Sequence, residues 1–139
     1  MARIESLSRR GAAARERRRR MKESLKNMKS VAEVSDGTFE SDVLGAGRVT
    51  VVDFGATWCP PCRALEPTVE ELAKKYTGRV NFVKMDIDQN PSTPQRYGIK
   101  GIPTLIVFDG GREVERVVGA ASKDAISRVV DKYVAAAAA

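Results

Sequence analysis

Cys59 and Cys62 are the two cysteines of the chain, with Pro60 and Pro61 between them and Trp58 just before. Two thiols three residues apart at a helix start can close a small disulfide ring with little rearrangement. The pattern therefore points to reversible dithiol–disulfide exchange. A helix N-terminus carries about half a positive charge, which favours the thiolate form of Cys59. Pro60 and Pro61 suit a first helical turn, where a missing N–H costs little, and they stiffen the ring. Two blander readings compete. Half of a zinc site would need about four protein ligands, and the chain has no histidine and no further cysteine. A static staple across so short a loop contributes little through chain entropy. Redox exchange is favoured over both.

The rest of the composition narrows the chemistry further. A chain of 139 residues holds one domain with some length to spare. Without histidine, Ser-His-Asp and Cys-His catalysis and His-ligated metal centres are excluded. Two cysteines are too few for a disulfide-stapled secreted scaffold. No run approaches the ~18 apolar residues of a membrane span, and no apolar core of a secretory signal is expected. The formal charge of +6 is unevenly spread. Residues 1–30 carry eleven Lys/Arg against three Glu, while the remaining 109 carry thirteen basic and fifteen acidic residues. The expectation is a mildly acidic domain over 31–134, a basic extension over 1–30 and a polyalanine tail over 135–139.

The elements that must position the cysteines follow from hydrophobic spacing. Val49-Thr50-Val51-Val52-Asp53-Phe54 is an apolar run of strand length, as expected for a strand buried on both faces. The helix after it has Leu65, Val69, Leu72 and Tyr76 on one face, with Pro67 inside as a kink and Gly78 as its end. Val31–Val34 reads as a first strand, with Ser35 or Asp36 capping a helix near 38–44. Residues 80–86 read as a further strand, followed by a short helix near 92–97. Residues 104–108 and 113–118 flank Asp109-Gly110-Gly111-Arg112, a hairpin signal. Ser122 caps a last helix with Ile126, Val129, Val130 and Tyr133 on its apolar face. The order β-α-β-α-β-α-β-β-α predicts an α/β fold, a mixed sheet covered by helices on both sides. Before it, Ile4, Leu7, Ala14, Met21, Leu25 and Met28 form a weak apolar seam on a helical or disordered arm, too poor for a coiled coil.

With these elements in place the chain resembles the thioredoxin family over residues 31–134. The residues that carry the resemblance are Val52-Asp53-Phe54, Ala56-Thr57-Trp58-Cys59-Pro60-Pro61-Cys62-Arg63, Pro67, Lys84-Met85-Asp86-Ile87-Asp88, Tyr97-Gly98-Ile99, Gly101-Ile102-Pro103-Thr104 and Val118-Gly119-Ala120. A lone C-x-x-C would be weak; this set in order and at family spacing is specific.

The resemblance implies a role for each matching residue. Cys59 would be the exposed attacking thiolate and Cys62 the buried resolving thiol. Asp53 would be the buried acid that accepts the Cys62 proton, with Lys84 beside it. Its apolar and small neighbours, Val49, Val51, Val52, Phe54 and Gly55, argue for burial over a solvated strand end, and burial raises a carboxylic acid towards the working pH. Pro103 would be a cis-proline facing the cysteines, exposing the Ile102 backbone to an extended substrate segment. Trp58, Pro60 and Pro61 would flank the site, and Gly119 and Ala120 would complete a flat apolar rim. The implied activity is reversible reduction of protein disulfides by a monomer that binds no cofactor. Its electrons would come from NADPH through a flavin enzyme, thioredoxin reductase, in the cytoplasm.

Two departures from the family pattern stand out. Pro60-Pro61 replaces the commoner Gly-Pro, which bears on the reduction potential. Gly55 stands where many members carry a second tryptophan, leaving Trp58 as the one tryptophan and implying looser packing beside the site. The basic arm lies outside the family's usual bounds. The arm reads first as a solvated, partly helical tail that aids solubility or docks on the domain. Arg15 and Arg17–Arg20 also suit an anionic surface or a protein partner, organelle targeting is a further reading, and no aromatic residue supports specific reading of nucleic acid. Rival readings are an oxidant or isomerase on the same fold, and an interaction module recruited through the arm.

Overall fold

The computed structural model describes residues 2–27 and 30–138, with side chains over 10–22 and 30–134. Helix α1 spans Ala2–Asn27. Strand β1 (Ala32–Glu33) and a π-helical segment (Glu40–Leu44) lead to β2 (Thr50–Gly55) and α2 (Pro60–Lys75). Then come β3 (Asn81–Asp86), α3 (Ser92–Arg96), the hairpin β4 (Thr104–Asp109) and β5 (Arg112–Val118), and α4 (Lys123–Ala138). After α1 this is the order expected from the sequence.

The five strands form one mixed sheet in the order β1-β3-β2-β4-β5. The first three are parallel, β4 runs antiparallel to β2, and β5 antiparallel to β4. β2 is central and buried along nearly its whole length, which is why its residues read as an apolar run instead of alternating. Side chains still alternate between the sheet's faces. Val51 joins Phe82, Leu65, Val69, Leu72, Ile126 and Val130 beneath α2 and α4. Val52 and Phe54 join Val83, Met85 and Phe39 on the opposite face. The same alternation turns Asp53 and Gly55 of β2, and Lys84 of β3, towards α2.

The β4–β5 turn has Gly110 and Gly111 at φ 62° and 79°, with Asp109 paired to Arg112. Both central residues at positive φ make the tight turn that the Gly-Gly pair predicts. Ser122 caps α4 through its Oγ, which accepts the Ala125 N–H at 3.1 Å.

Two expectations need correction. The first strand is two residues long, not four; its ladder to β3 is extended by one bond from the Val34 N–H to the Lys84 carbonyl. The helix near 38–44 is a π-helical turn. Of the two cap candidates, Ser35 caps the turn that leads into it, its Oγ accepting the Thr38 N–H while Thr38 Oγ1 accepts the Ser35 N–H, whereas Asp36 reaches across to the start of α3. There its carboxylate accepts the N–H groups of Ser92 (3.2 Å) and Thr93 (2.8 Å). In α1, Ala14 is half-buried and Met21 65% exposed; Ile4, Leu7, Leu25 and Met28 of the expected seam lie outside the described side chains.

Candidate active site

The cysteine pair sits where the buried β2 hands over to α2. Cys59 is the N-cap residue of α2, with extended backbone angles of φ −91° and ψ 107°. Its carbonyl accepts the Arg63 N–H, and its own N–H bonds the Ala56 carbonyl. Pro60 and Pro61 occupy the first two helical positions, where no backbone donor is needed. Cys59 and Cys62 are joined in a disulfide. The Cys62 N–H points at the Cys59 sulfur at 3.3 Å, so the positive end of α2 is aimed at that atom.

Exposure is where the sequence expectation fails. Cys59 is 4% exposed and Cys62 5%, so in the disulfide form neither is the open partner. Ala56 lies in the same cluster, and Ile87 and Ile102 pack against it. What separates the two sulfurs is their electrostatic setting. Cys59 receives the helix-end N–H, while Cys62 borders a cleft that contains Asp53.

Asp53 is 7% exposed, and its Oδ1 has no hydrogen-bond partner among the described residues. Burial pushes its carboxyl up to about 7; the negative charge of Glu66 adds to this and Lys84 opposes it. Lys84 is directly opposite Asp53 in the β2–β3 register, but its ammonium lies 3.7 Å from Glu33. A cleft of about 70 Å³ is lined by Asp53, Gly55, Cys62, Glu66 and Lys84. A buried acceptor beside a thiol, with a route to solvent, can take a proton and later release it.

Next to the cysteine cluster, the Ile102–Pro103 bond is cis. Pro103 is buried, Ile102 is half-buried against the cysteine cluster, and the Pro103 carbonyl accepts the Gly119 N–H at 2.8 Å. That bond places Gly119 beside the cis-proline, while Ala120 follows as an exposed residue. Pro60 and Pro61 are exposed on the first turn of α2. Trp58 is 65% exposed and does not bury itself over the site. Its indole N–H donates to Asp88 at 2.6 Å, and Asp88 takes a backbone turn held by Asp86 Oδ1.

Three residues here were given no role from the sequence, although Asp88 closes the Lys84–Asp88 stretch that carries the family resemblance. Asp88 carries no spacing signal, because it lies thirty residues from Trp58. Glu33 looks like an ordinary edge-strand charge. Glu66 did carry a signal: it is four residues after Cys62, one helical turn along the same face.

The thioredoxin family model matches residues 30–132. Thioredoxin from Synechocystis sp. is 44% identical over 106 residues, covering 76% of this chain and 99% of the relative. Thioredoxin from Staphylococcus aureus is 44% identical over 104 residues, or 75% and 98% of the two chains. An M-type chloroplastic thioredoxin from Brassica napus is 43% identical over 100 residues, covering 72% of this chain and 56% of the relative. The match spans all five strands and centres on a disulfide held at a helix start. The chain therefore belongs to the thioredoxin family, oxidoreductases that work by dithiol–disulfide exchange, here through Cys59 and Cys62.

Proposed function

We propose that the protein is a protein-disulfide reductase of a reducing compartment, the cytoplasm, where thiols are kept reduced. Cys59 attacks a target disulfide as the thiolate, forming a mixed disulfide and expelling one target sulfur. Cys62 gives its proton to Asp53 and attacks the Cys59 sulfur, so the Cys59–Cys62 bond forms as the second target sulfur leaves. The observation that carries this reading is Asp53, a buried carboxyl with an unpartnered oxygen in the same cleft as Cys62. Lys84 balances part of its charge. Trp58, Pro60, Pro61, Ile102, Pro103, Gly119 and Ala120 form the surface on which an extended target segment docks, with the Ile102 backbone offering strand-like pairing. The product disulfide is re-reduced by a thioredoxin reductase that passes electrons from NADPH through a flavin.

The test is the redox equilibrium of Cys59–Cys62 against glutathione and dithiothreitol, read by Trp58 fluorescence. A potential near ~−270 mV, the thioredoxin value, supports the reductase. A value of ~−180 to −120 mV, the range of isomerase and strong oxidant, overturns it in favour of disulfide formation or shuffling.

A second reading concerns the arm, as an extension that docks on an anionic surface. Arg15, Arg18, Arg19 and Lys22 recur at i, i+3, i+4 and i+7 and line one shallow groove on α1. Binding to a polyanion that weakens with salt, and is lost in Arg18→Glu/Arg19→Glu, would support docking; salt-independent binding would count against it.

A further inference from the structure

Glu66 stands at the edge of the cleft that contains Asp53, and its position follows from two periodicities. Four residues separate it from Cys62, so both lie on one face of α2 a turn apart. Alternation along β2 sends Asp53 and Gly55 up towards that same face. The cleft between them depends on Gly55. A Cβ there would lie 3.3 Å from both Cβ and Sγ of Cys62 and 4.0 Å from Asp53 Oδ1. With no side chain at this position, the space beside Cys62 stays open.

Several charged groups surround Asp53. From α2 come Arg63, Glu66 and Glu70; from β3, Lys84 and Asp86; from β1, Glu33. Most are engaged elsewhere. Glu33 lies against Lys84, Glu70 accepts the N–H groups of Ser30 and Val31, and Asp86 holds the N–H groups of Asp88 and Gln89. Among the described residues Glu66 has no ion pair and no hydrogen bond. It shares both clefts at Asp53 with Lys84.

We propose that Glu66 is a positioning residue of the exchange reaction, its carboxylate acting across the cleft left open by Gly55 to favour transfer of the Cys62 proton to Asp53. This rests on the reading of Asp53 as the proton acceptor. A like charge nearby makes an ionised Asp53 costlier and a protonated one cheaper. The proton therefore leaves Cys62 more readily when the Cys62 sulfur attacks Cys59. The Cys59–Cys62 bond forms, the Cys59–target bond breaks, and its electron pair leaves with the target sulfur as thiolate. Asp53 then returns its proton to solvent through the cleft.

The reduced full-length protein mixed with 5,5′-dithiobis(2-nitrobenzoate) in a stopped flow releases two aromatic thiolates in succession. The second release reports attack by Cys62. Its rate between pH 5 and 9 should show an acid limb with a midpoint near 7, where Asp53 titrates. In Glu66→Gln the midpoint moves to lower pH by roughly half a unit or more, while Glu66→Asp keeps it near the wild-type position. Asp53→Asn is the control and loses the limb. A limb that survives in Asp53→Asn overturns the acceptor reading itself. A limb lost in Asp53→Asn but unmoved in Glu66→Gln overturns the role of Glu66 alone.

Discussion

Asp53 and Lys84 are register partners on adjacent parallel strands, yet they make no ion pair. The Lys84 ammonium turns to Glu33 at 3.7 Å, and Asp53 Oδ1 is left without a partner. A buried carboxylate so placed is costly to ionise, and that cost suits the proton transfer proposed for Asp53. The lysine is near enough to temper the shift and too far away to cancel it. Much of the protein's pH behaviour follows from this pair.

Stability should fall as pH rises. Asp53 is raised from 3.8 to about 7 in the folded chain. Between those values the native state holds a proton that the unfolded state has released. The contribution is therefore fully present below the ordinary carboxylate value and lost as pH rises through 7, up to about 4 kcal/mol. Urea denaturation of oxidised wild type and Asp53→Asn checks this. The wild type should lose stability relative to the variant between pH 4 and pH 8.

Asp36 predicts the opposite slope. Its hydrogen bonds, to Thr93 above all, hold its carboxyl below the ordinary value, so its contribution is present above that value and lost as pH falls through the lowered one. Asp36→Ala should lower the urea midpoint at neutral pH. The difference from wild type should shrink progressively under acid conditions.

How much of this was legible in the chain differs from residue to residue. β2 announced itself because a strand buried on both faces must be continuously apolar. The cysteines fell between it and α2, with prolines marking the first turn. Gly110-Gly111 declared the hairpin, since few other residues accept positive φ twice in succession. Asp36, Asp88 and Glu33 did not declare their partners. Their partners lie thirty or more residues away, and a surface acid that caps a distant helix or anchors an indole looks like any solvated charge. The two-residue length of β1 was also hidden, because its pairing with β3 alone decides where it stops.

Trp58 should loosen when Asp88 is removed. The indole is 65% exposed and held by its bond to Asp88 at 2.6 Å. In Asp88→Ala the fluorescence anisotropy of Trp58 should fall. KM for a protein disulfide should rise several-fold, with kcat little changed, because the proposed acceptor Asp53 and both cysteines are untouched. A drop in kcat at constant KM would contradict this assignment.

The face opposite α2 is held by an aromatic cluster. Phe39 is 2% exposed, with its ring centroid 5.5 Å from those of both Tyr97 and Phe108. Phe39→Ala should cost about 3–5 kcal/mol, seen as a lower urea midpoint. At temperatures where the variant stays folded, the rate of disulfide exchange should remain close to wild type, since the cysteine site lies elsewhere on the sheet.

The most direct test of the exchange mechanism mixes the reduced protein with a protein disulfide, quenches in acid, and weighs the products. Wild type should give reduced target and one Cys59–Cys62 disulfide in equal amounts. Cys62→Ser should accumulate a mixed disulfide on Cys59, and Cys59→Ser should give no turnover. Equal turnover by either single variant, or target reduction by the double variant, would contradict exchange through this pair.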